Sequence, residues 1–352
     1  MRIKKEVRKI VASVLAFLMV VSLIPVNSLM TKANAASKTT FEGGKTVEDG
    51  TWKGWTWNVF GSSTDVTKAF ATDTGNGGVT LEVTGDKGKI NGSASDQGLN
   101  TFLYELDKSY DFTITAQAKV DTLAANAQAA FGLTIRDNVG AHGNTAKLTA
   151  DKNNFAFVGG YGNQAASGHG NAGYKTTALA HTRLGESPEV GGTYDLAIQK
   201  VGDSVKLYFN GEVAAECSAD DLITDNAMYV GLFAARNAKV TFNNVKLAYT
   251  QDSSSVKVTT NVTAPKKTTY CAGNTYEDVD LTGFKATVSV DGKEREITAS
   301  DCVVDMSNDP FAEVTDAGKL NLLYLGQTIE VPITVIKEVV SDMYIEYMPV
   351  KT

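Results

Sequence analysis

Between residues 41 and 249 the chain is a run of short segments in which apolar and polar side chains alternate, with glycine, asparagine and aspartate between them. Val79-Thr80-Leu81-Glu82-Val83 and Phe112-Thr113-Ile114-Thr115-Ala116 alternate strictly. Residues 131–135, 194–198 and 205–209 continue the pattern, and 228–233 and 240–247 close it. Successive side chains on an extended strand point to opposite faces, so a period of two marks a strand with one face toward a core. Asn210-Gly211, between residues 207–209 and 212–214, reads as a hairpin turn because both residues tolerate positive φ. Helical periodicity is nearly missing, and residues 218–223 read as one turn at most. About a dozen strands in roughly 210 residues close most readily as two large face-packed sheets, so the fold class is all-β.

Residues 251–255 are polar and read as a linker. Beyond them the alternation resumes in residues 285–290, 319–324 and 329–335, with Asp291-Gly292 as a second hairpin turn. About 80 residues with seven short strands suit a smaller, immunoglobulin-like sandwich, without the paired cysteines and buried tryptophan of antibody domains. The expected organisation is a first domain at 41–250 and a second at 256–337. Pro349-Val350-Lys351-Thr352 matches the spacing of Pro265-Lys266-Lys267-Thr268, so residues 341–352 are expected to be the start of a truncated further repeat, or a tail. The three cysteines, Cys217, Cys271 and Cys302, have neither the number nor the spacing of a disulfide framework or a zinc site. Cys271 and Cys302 lie in one domain and are the pair that pairing would join; Cys217 reads as a small buried hydrophobe.

The N-terminus bears on compartment. Arg2, Lys4, Lys5, Arg8 and Lys9 precede an apolar run from 10 to 25, and Ala33-Asn34-Ala35 follows. Basic start, apolar run and small-x-small site make a signal peptide at 1–35. A membrane anchor needs about 20 apolar residues, and Pro25 interrupts this shorter run. Cleavage removes six bases and one acid, which takes the formal net charge from −7 to −12. A chain this acidic lacks the positive footprint that nucleic acid or anionic lipid requires. The expected localisation is secreted, extracellular or cell-surface, as a monomer with no membrane insertion after cleavage.

Several segments carry a resemblance. Gly88-Lys89-Ile90, residues 98–104, Phe131-Gly132-Leu133-Thr134-Ile135-Arg136-Asp137, residues 154–161 and Tyr229-Val230-Gly231-Leu232-Phe233-Ala234-Ala235-Arg236 resemble the concanavalin-like or laminin-G-like jelly-roll modules of secreted bacterial polysaccharide-degrading proteins. Residues 265–270 with Gly273, Asp280-Leu281-Thr282-Gly283, Asp291-Gly292 and Gly318 resemble a bacterial immunoglobulin-like repeat. The first resemblance implies a jelly roll acting near extracellular glycan. The second implies a spacer or adhesion unit.

Catalytic signatures are sparse. A jelly-roll glycosidase places two or three acids on one strand face, and Glu105-Leu106-Asp107 lacks the third. Asp220-Asp221 reads as a turn, and His142, His169 and His181 form no metal or serine-hydrolase motif. The expectation is therefore no catalytic residue and no enzyme activity within this chain. Sugar binding uses aromatic rings against pyranose faces, with polar side chains reading hydroxyls. Three regions offer these groups. Trp52, Trp55 and Trp57 are either core residues or a platform, with Trp52 the one placed at a ligand. Residues 153–174 read as a glycine-rich loop carrying Tyr161, Asn163, Gln164, His169 and Tyr174. Arg136 and Asp137 end an apolar strand, where Arg136 serves either a uronate carboxylate or a structural ion pair. No cofactor is required; calcium would draw on Asp65, Asp137 and Asp151, although no Asp-x-Asp loop supports it. The leading function is a non-catalytic carbohydrate-binding protein for a plant polysaccharide such as pectin, as the N-terminal part of a larger degrading enzyme. The alternative is a surface adhesin or spacer that binds host glycan or protein.

Overall fold

The computed structural model describes residues 38–61, 64–90, 97–125, 128–148, 153–161, 170–176, 179–182 and 188–337. The signal-peptide segment 1–35 and the tail 341–352 lie outside the described residues.

The first strands are β1 (Thr39–Thr40), β2 (Trp55–Phe60), β3 (Ala69–Asp73), β4 (Val79–Val83), β5 (Leu99–Asp107), β6 (Asp111–Leu123), β7 (Ala130–Arg136) and β8 (Phe155–Tyr161). They continue as β9 (Gly170–Lys175), β10 (Leu179–Thr182), β11 (Thr193–Val201), β12 (Ser204–Phe209), β13 (Glu212–Ser218), β14 (Ala227–Ala235) and β15 (Ala238–Thr250). Eight form one sheet in the order β1-β3-β4-β15-β6-β11-β12-β13, and seven form another in the order β10-β9-β8-β7-β14-β5-β2. The strands last in sequence, β14 and β15, insert into the middle of the two sheets, beside β5 and β7 and beside β4 and β6. Such long-range returns are the winding of a jelly-roll sandwich. The described residues are all-β apart from short turns of helix, one at Ala219–Leu222 where a single turn was expected.

Alternation becomes burial where the sheets face each other. Along β4, Val79, Leu81 and Val83 are buried while Thr80 and Glu82 are half-buried. Their inner faces join Ile114, Leu133, Ile198, Leu207 and Val240 in one core. Burying each such side chain contributes about 2 kcal/mol. The seven-stranded sheet departs from the half-wet pattern, because every residue of β7 is buried. Its outer face carries a second core of Phe60, Phe155, Phe157 and Phe233, roofed by Ile90, Val139 and Leu148.

Seven further strands follow: β16 (Lys257–Thr263), β17 (Thr269–Cys271), β18 (Lys285–Val290), β19 (Lys293–Thr298), β20 (Val303–Asp305), β21 (Thr315–Tyr324) and β22 (Gln327–Ile336). They make a three-stranded sheet, β16-β18-β19, and a four-stranded sheet, β17-β22-β21-β20, in which β17 and β22 run parallel. Phe284, Val288, Leu320, Leu322 and Val331 fill the space between. The stretch read as a linker is an ordered turn: Asp252 caps Ser253–Ser255, and the Ser253 carbonyl accepts from Gln327 Nε2 at 2.9 Å. Cys217, Cys271 and Cys302 are free thiols. Residues 153–174 are not one long loop, because β8 and the greater part of β9 occupy most of that stretch.

Candidate functional site

Register sets out a row of side chains on the outer face of the seven-stranded sheet. Glu105 pairs with Tyr229, Tyr229 with Arg136, Arg136 with Phe155, and Phe155 with Lys175. Residues directly opposite on neighbouring strands point to the same face. Two cations thus flank one aromatic ring. The Arg136 guanidinium lies 5.0 Å from the Phe155 ring centroid and 5.7 Å from that of Phe60. It is fully buried. Its Nε donates to Asn138 O at 3.2 Å, and Nη2 donates to Gln97 Oε1 at 3.0 Å and Asn153 Oδ1 at 2.8 Å. Its Nη1 has no hydrogen-bond partner among the described residues.

Burial dominates the titration of this cluster. It lowers Arg136 to about 10 despite the opposing pull of Asp137. It raises Asp137 to about 6, against Arg136, the Asn154 N–H at 2.9 Å and the Thr224 hydroxyl at 3.3 Å. Lys175 is lowered by burial too, with Asp137 opposing. Arg136 and Asp137 are neighbours whose desolvation outweighs their attraction. Arg136 is a structural residue in this closed arrangement, because it meets no solvent.

The other expected ligand residues separate. Trp52 is a core residue: it is 4% exposed and packs edge-on against Trp55 at 5.6 Å and Phe102 at 5.4 Å. At that exposure the indole offers no open face for a sugar. Trp57 also belongs to the core, its Nε1 donating to Asn100 Oδ1 at 2.7 Å. Tyr161 and Tyr174 do not share a site. Tyr161 packs on Phe157 in the outer cluster, while Tyr174 packs on the inner core. Asn163, Gln164 and His169 lie outside the described residues. His142 covers the edge strand β2: its Nδ1 accepts from Val59 N at 3.3 Å and its ring lies 5.0 Å from Trp57.

The acids considered for catalysis or calcium have local partners. Asp107 accepts from Ser109 N at 2.9 Å, and such hydrogen bonds hold its carboxyl below the usual range. Asp65 caps a short helical turn through Thr67, Asp137 is enclosed as above, and Asp151 lies outside the described residues. Among the described residues no three His, Cys, Asp or Glu side chains are placed to hold a metal ion.

An open cavity of about 710 Å³ lies between the outer face of the eight-stranded sheet and the later strands. One wall carries Gln117, Asp195 and Asn210, which are outward positions of β6 and β11 and the β12–β13 turn. Gln117 Nε2 donates to Asp195 Oδ1 at 3.2 Å, and Asp195 N donates to Asn210 Oδ1 at 2.9 Å. The other wall carries Tyr276, Val279 and Leu281. These are the groups that read hydroxyls and cover apolar ring faces. The outward half of the period-two pattern was the signal that would have found them, since it places Gln117 and Asp195 on the face away from the core.

The architecture defines an all-β jelly-roll sandwich carrying a second group of strands. No family model matches the chain. It is 28% identical over 301 residues to Pectate lyase L of Thermoclostridium stercorarium, an alignment of 85% of this chain and 23% of that protein. The chain therefore spans about a quarter of the length of the curated relative it matches. Among solved structures, a carbohydrate-binding module from Bacillus subtilis is similar at 16% identity, over 61% of this chain and 96% of that one, with a TM-score of 0.30. An alginate lyase from Corynebacterium sp. is similar at 11% identity, over 49% of this chain and 77% of that one, with a TM-score of 0.32. Scores this low leave the architecture to rest on the strand order itself. The expectation of a chain without enzyme activity is corrected by the relative, which is named a lyase. Among the described residues no helix is long and apolar enough to cross a membrane.

Proposed function

We propose that this chain is the polysaccharide-recognising part of an exported protein that degrades plant polysaccharide, with pectin the leading substrate class. The observation that carries the reading is the alignment with a pectate lyase over 301 residues, more than either strand group contains. The open cavity, lined by Gln117, Asp195, Asn210 and Tyr276, accords with a hydroxylated ligand. On this reading residues 1–35 direct export and the later strands form an immunoglobulin-like spacer.

The test is a pair of measurements on the mature chain. Gel retardation on polygalacturonate is compared with neutral plant polysaccharides, and ultraviolet absorbance follows any unsaturated uronide released from polygalacturonate. Retardation on at least one plant polysaccharide supports recognition, and absorbance growth adds lyase chemistry. Neither response on any plant polysaccharide sinks the proposal.

A further inference from the structure

The cavity between the eight-stranded sheet and the later strands has a character that the buried Arg136 row lacks. Its volume of about 710 Å³ falls in the range of small-ligand sites. Its described lining includes Asp195, Glu212 and Glu277 but neither Lys nor Arg. Negative potential repels a uronate. The acids are also dispersed, since no three of them are placed to share a cation. Separated carboxylates act as individual acceptors, which suits ligand hydroxyl groups.

The polar wall supplies both senses of hydrogen bond. Gln117 Nε2 and Asp195 Oδ1 satisfy each other, which leaves Gln117 Oε1 and Asp195 Oδ2 as acceptors. Asn210 Oδ1 takes the Asp195 N–H, which leaves Asn210 Nδ2 as a donor. A hydroxyl both donates and accepts. Facing these groups, Tyr276 is held in place by its hydroxyl, whose single proton is shared between Asp305 O at 3.0 Å and Asn308 O at 2.8 Å. Its ring, with Val279 and Leu281, gives an apolar wall for the C–H face of a pyranose.

The walls are fixed before any ligand arrives. Thr115 Oγ1 donates to Ser300 O at 2.6 Å across the base of the cavity. The β12–β13 turn presses on the later strands so closely that a Cβ added at Gly211 would lie 2.4 Å from Met306 Sδ. A preorganised cavity loses less entropy on binding.

We infer that this cavity is a binding site for a neutral saccharide, read by Gln117, Asp195 and Asn210 against the Tyr276 wall. The inference deepens the proposed function and rests on it only for the choice of glycans as ligands. The test is calorimetric titration of the mature chain with xylohexaose, cellohexaose, galactohexaose and hexagalacturonate. The same titrations are run on Gln117→Ala and Asp195→Ala. Asp195 is exposed and Gln117 half-buried, so both variants should keep the wild-type melting temperature. The expected result is binding of at least one neutral hexasaccharide, more tightly than hexagalacturonate, weakened at least tenfold in each variant. No neutral binding, or neutral binding unchanged in both folded variants, overturns the cavity assignment. In that case a response to polygalacturonate still upholds the proposed function. Conversely, neutral binding lost in the variants with no response to polygalacturonate upholds the cavity and removes pectin as the substrate class.

Discussion

Asp137 is where burial and charge compete most plainly. Burial lifts its carboxyl to about 6 in the folded chain, against an ordinary aspartate value of 3.8. Between those values the folded chain holds a proton that the unfolded chain has released. Stability contributed by the protonated form is therefore fully present below about pH 4 and lost as pH rises through about 6. A displacement of that size corresponds to roughly 3 kcal/mol. We expect Asp137→Asn to remove this dependence, so that the stability of wild type relative to the variant falls between about pH 4 and pH 7. Urea denaturation at both pH values measures it, and a constant difference between the two proteins would contradict the assignment. The sequence singled out Arg136 and Asp137 because two charges end an apolar strand. It could not supply Gln97 or Lys175, whose places beside Arg136 depend on a distant loop and on the register of β8 with β9. Nor could it distinguish a platform from a core for Trp52, since the indole suits both.

Strands were legible because alternation is a local pattern. The predicted segments 79–83 and 285–290 coincide with β4 and β18. Turns were legible where the residues announce positive φ. Asn210 and Gly211 have φ of 49° and 84°, and Asp291 and Gly292 have 51° and 74°. The turn at Leu325 and Gly326 was not legible, because its φ of 46° is unusual for leucine. What periodicity conceals is whether a strand's second face is wet. On β7 and β8 it is dry, and there Gly132 and Gly159 sit opposite each other with φ of 150° and 146°. A Cβ at Gly132 would lie 1.9 Å from Val158 O, so the two backbones approach as only glycine permits. Gly132→Ala is expected to cost about 3 kcal/mol or more, through backbone strain and displacement of β8. Thermal melting checks it. A variant that melts within a degree of wild type would mean that β8 is free to shift, contrary to its burial on both sides.

The two strand groups are joined by more than chain connection. Thr113 on β6 is buried, and its Oγ1 accepts both from Gln199 Nε2 at 3.2 Å and from Leu325 N at 3.1 Å. Leu325 is itself fully buried at the strained β21–β22 turn, so its backbone conformation is stabilised by the contact it makes. Thr250 Oγ1 donates to Asp291 Oδ1 at 2.6 Å, Ala248 of β15 belongs to the later core, and Val303 packs on Ala197 and Tyr208. Contacts of this kind couple the stability of one group to the other. Wild type is therefore expected to unfold in a single calorimetric transition. Thr113→Val keeps the shape of the side chain but leaves the buried Leu325 N–H without an acceptor, at a cost of about 1–3 kcal/mol. Adding Thr115→Val removes the bond to Ser300 O as well. The double variant should lower the melting temperature and divide the transition, with the smaller group melting first because its core is smaller. Two separated transitions in wild type would show that the contacts are too weak to couple the groups. The walls of the cavity would then move independently, and its preorganisation would be lost with them.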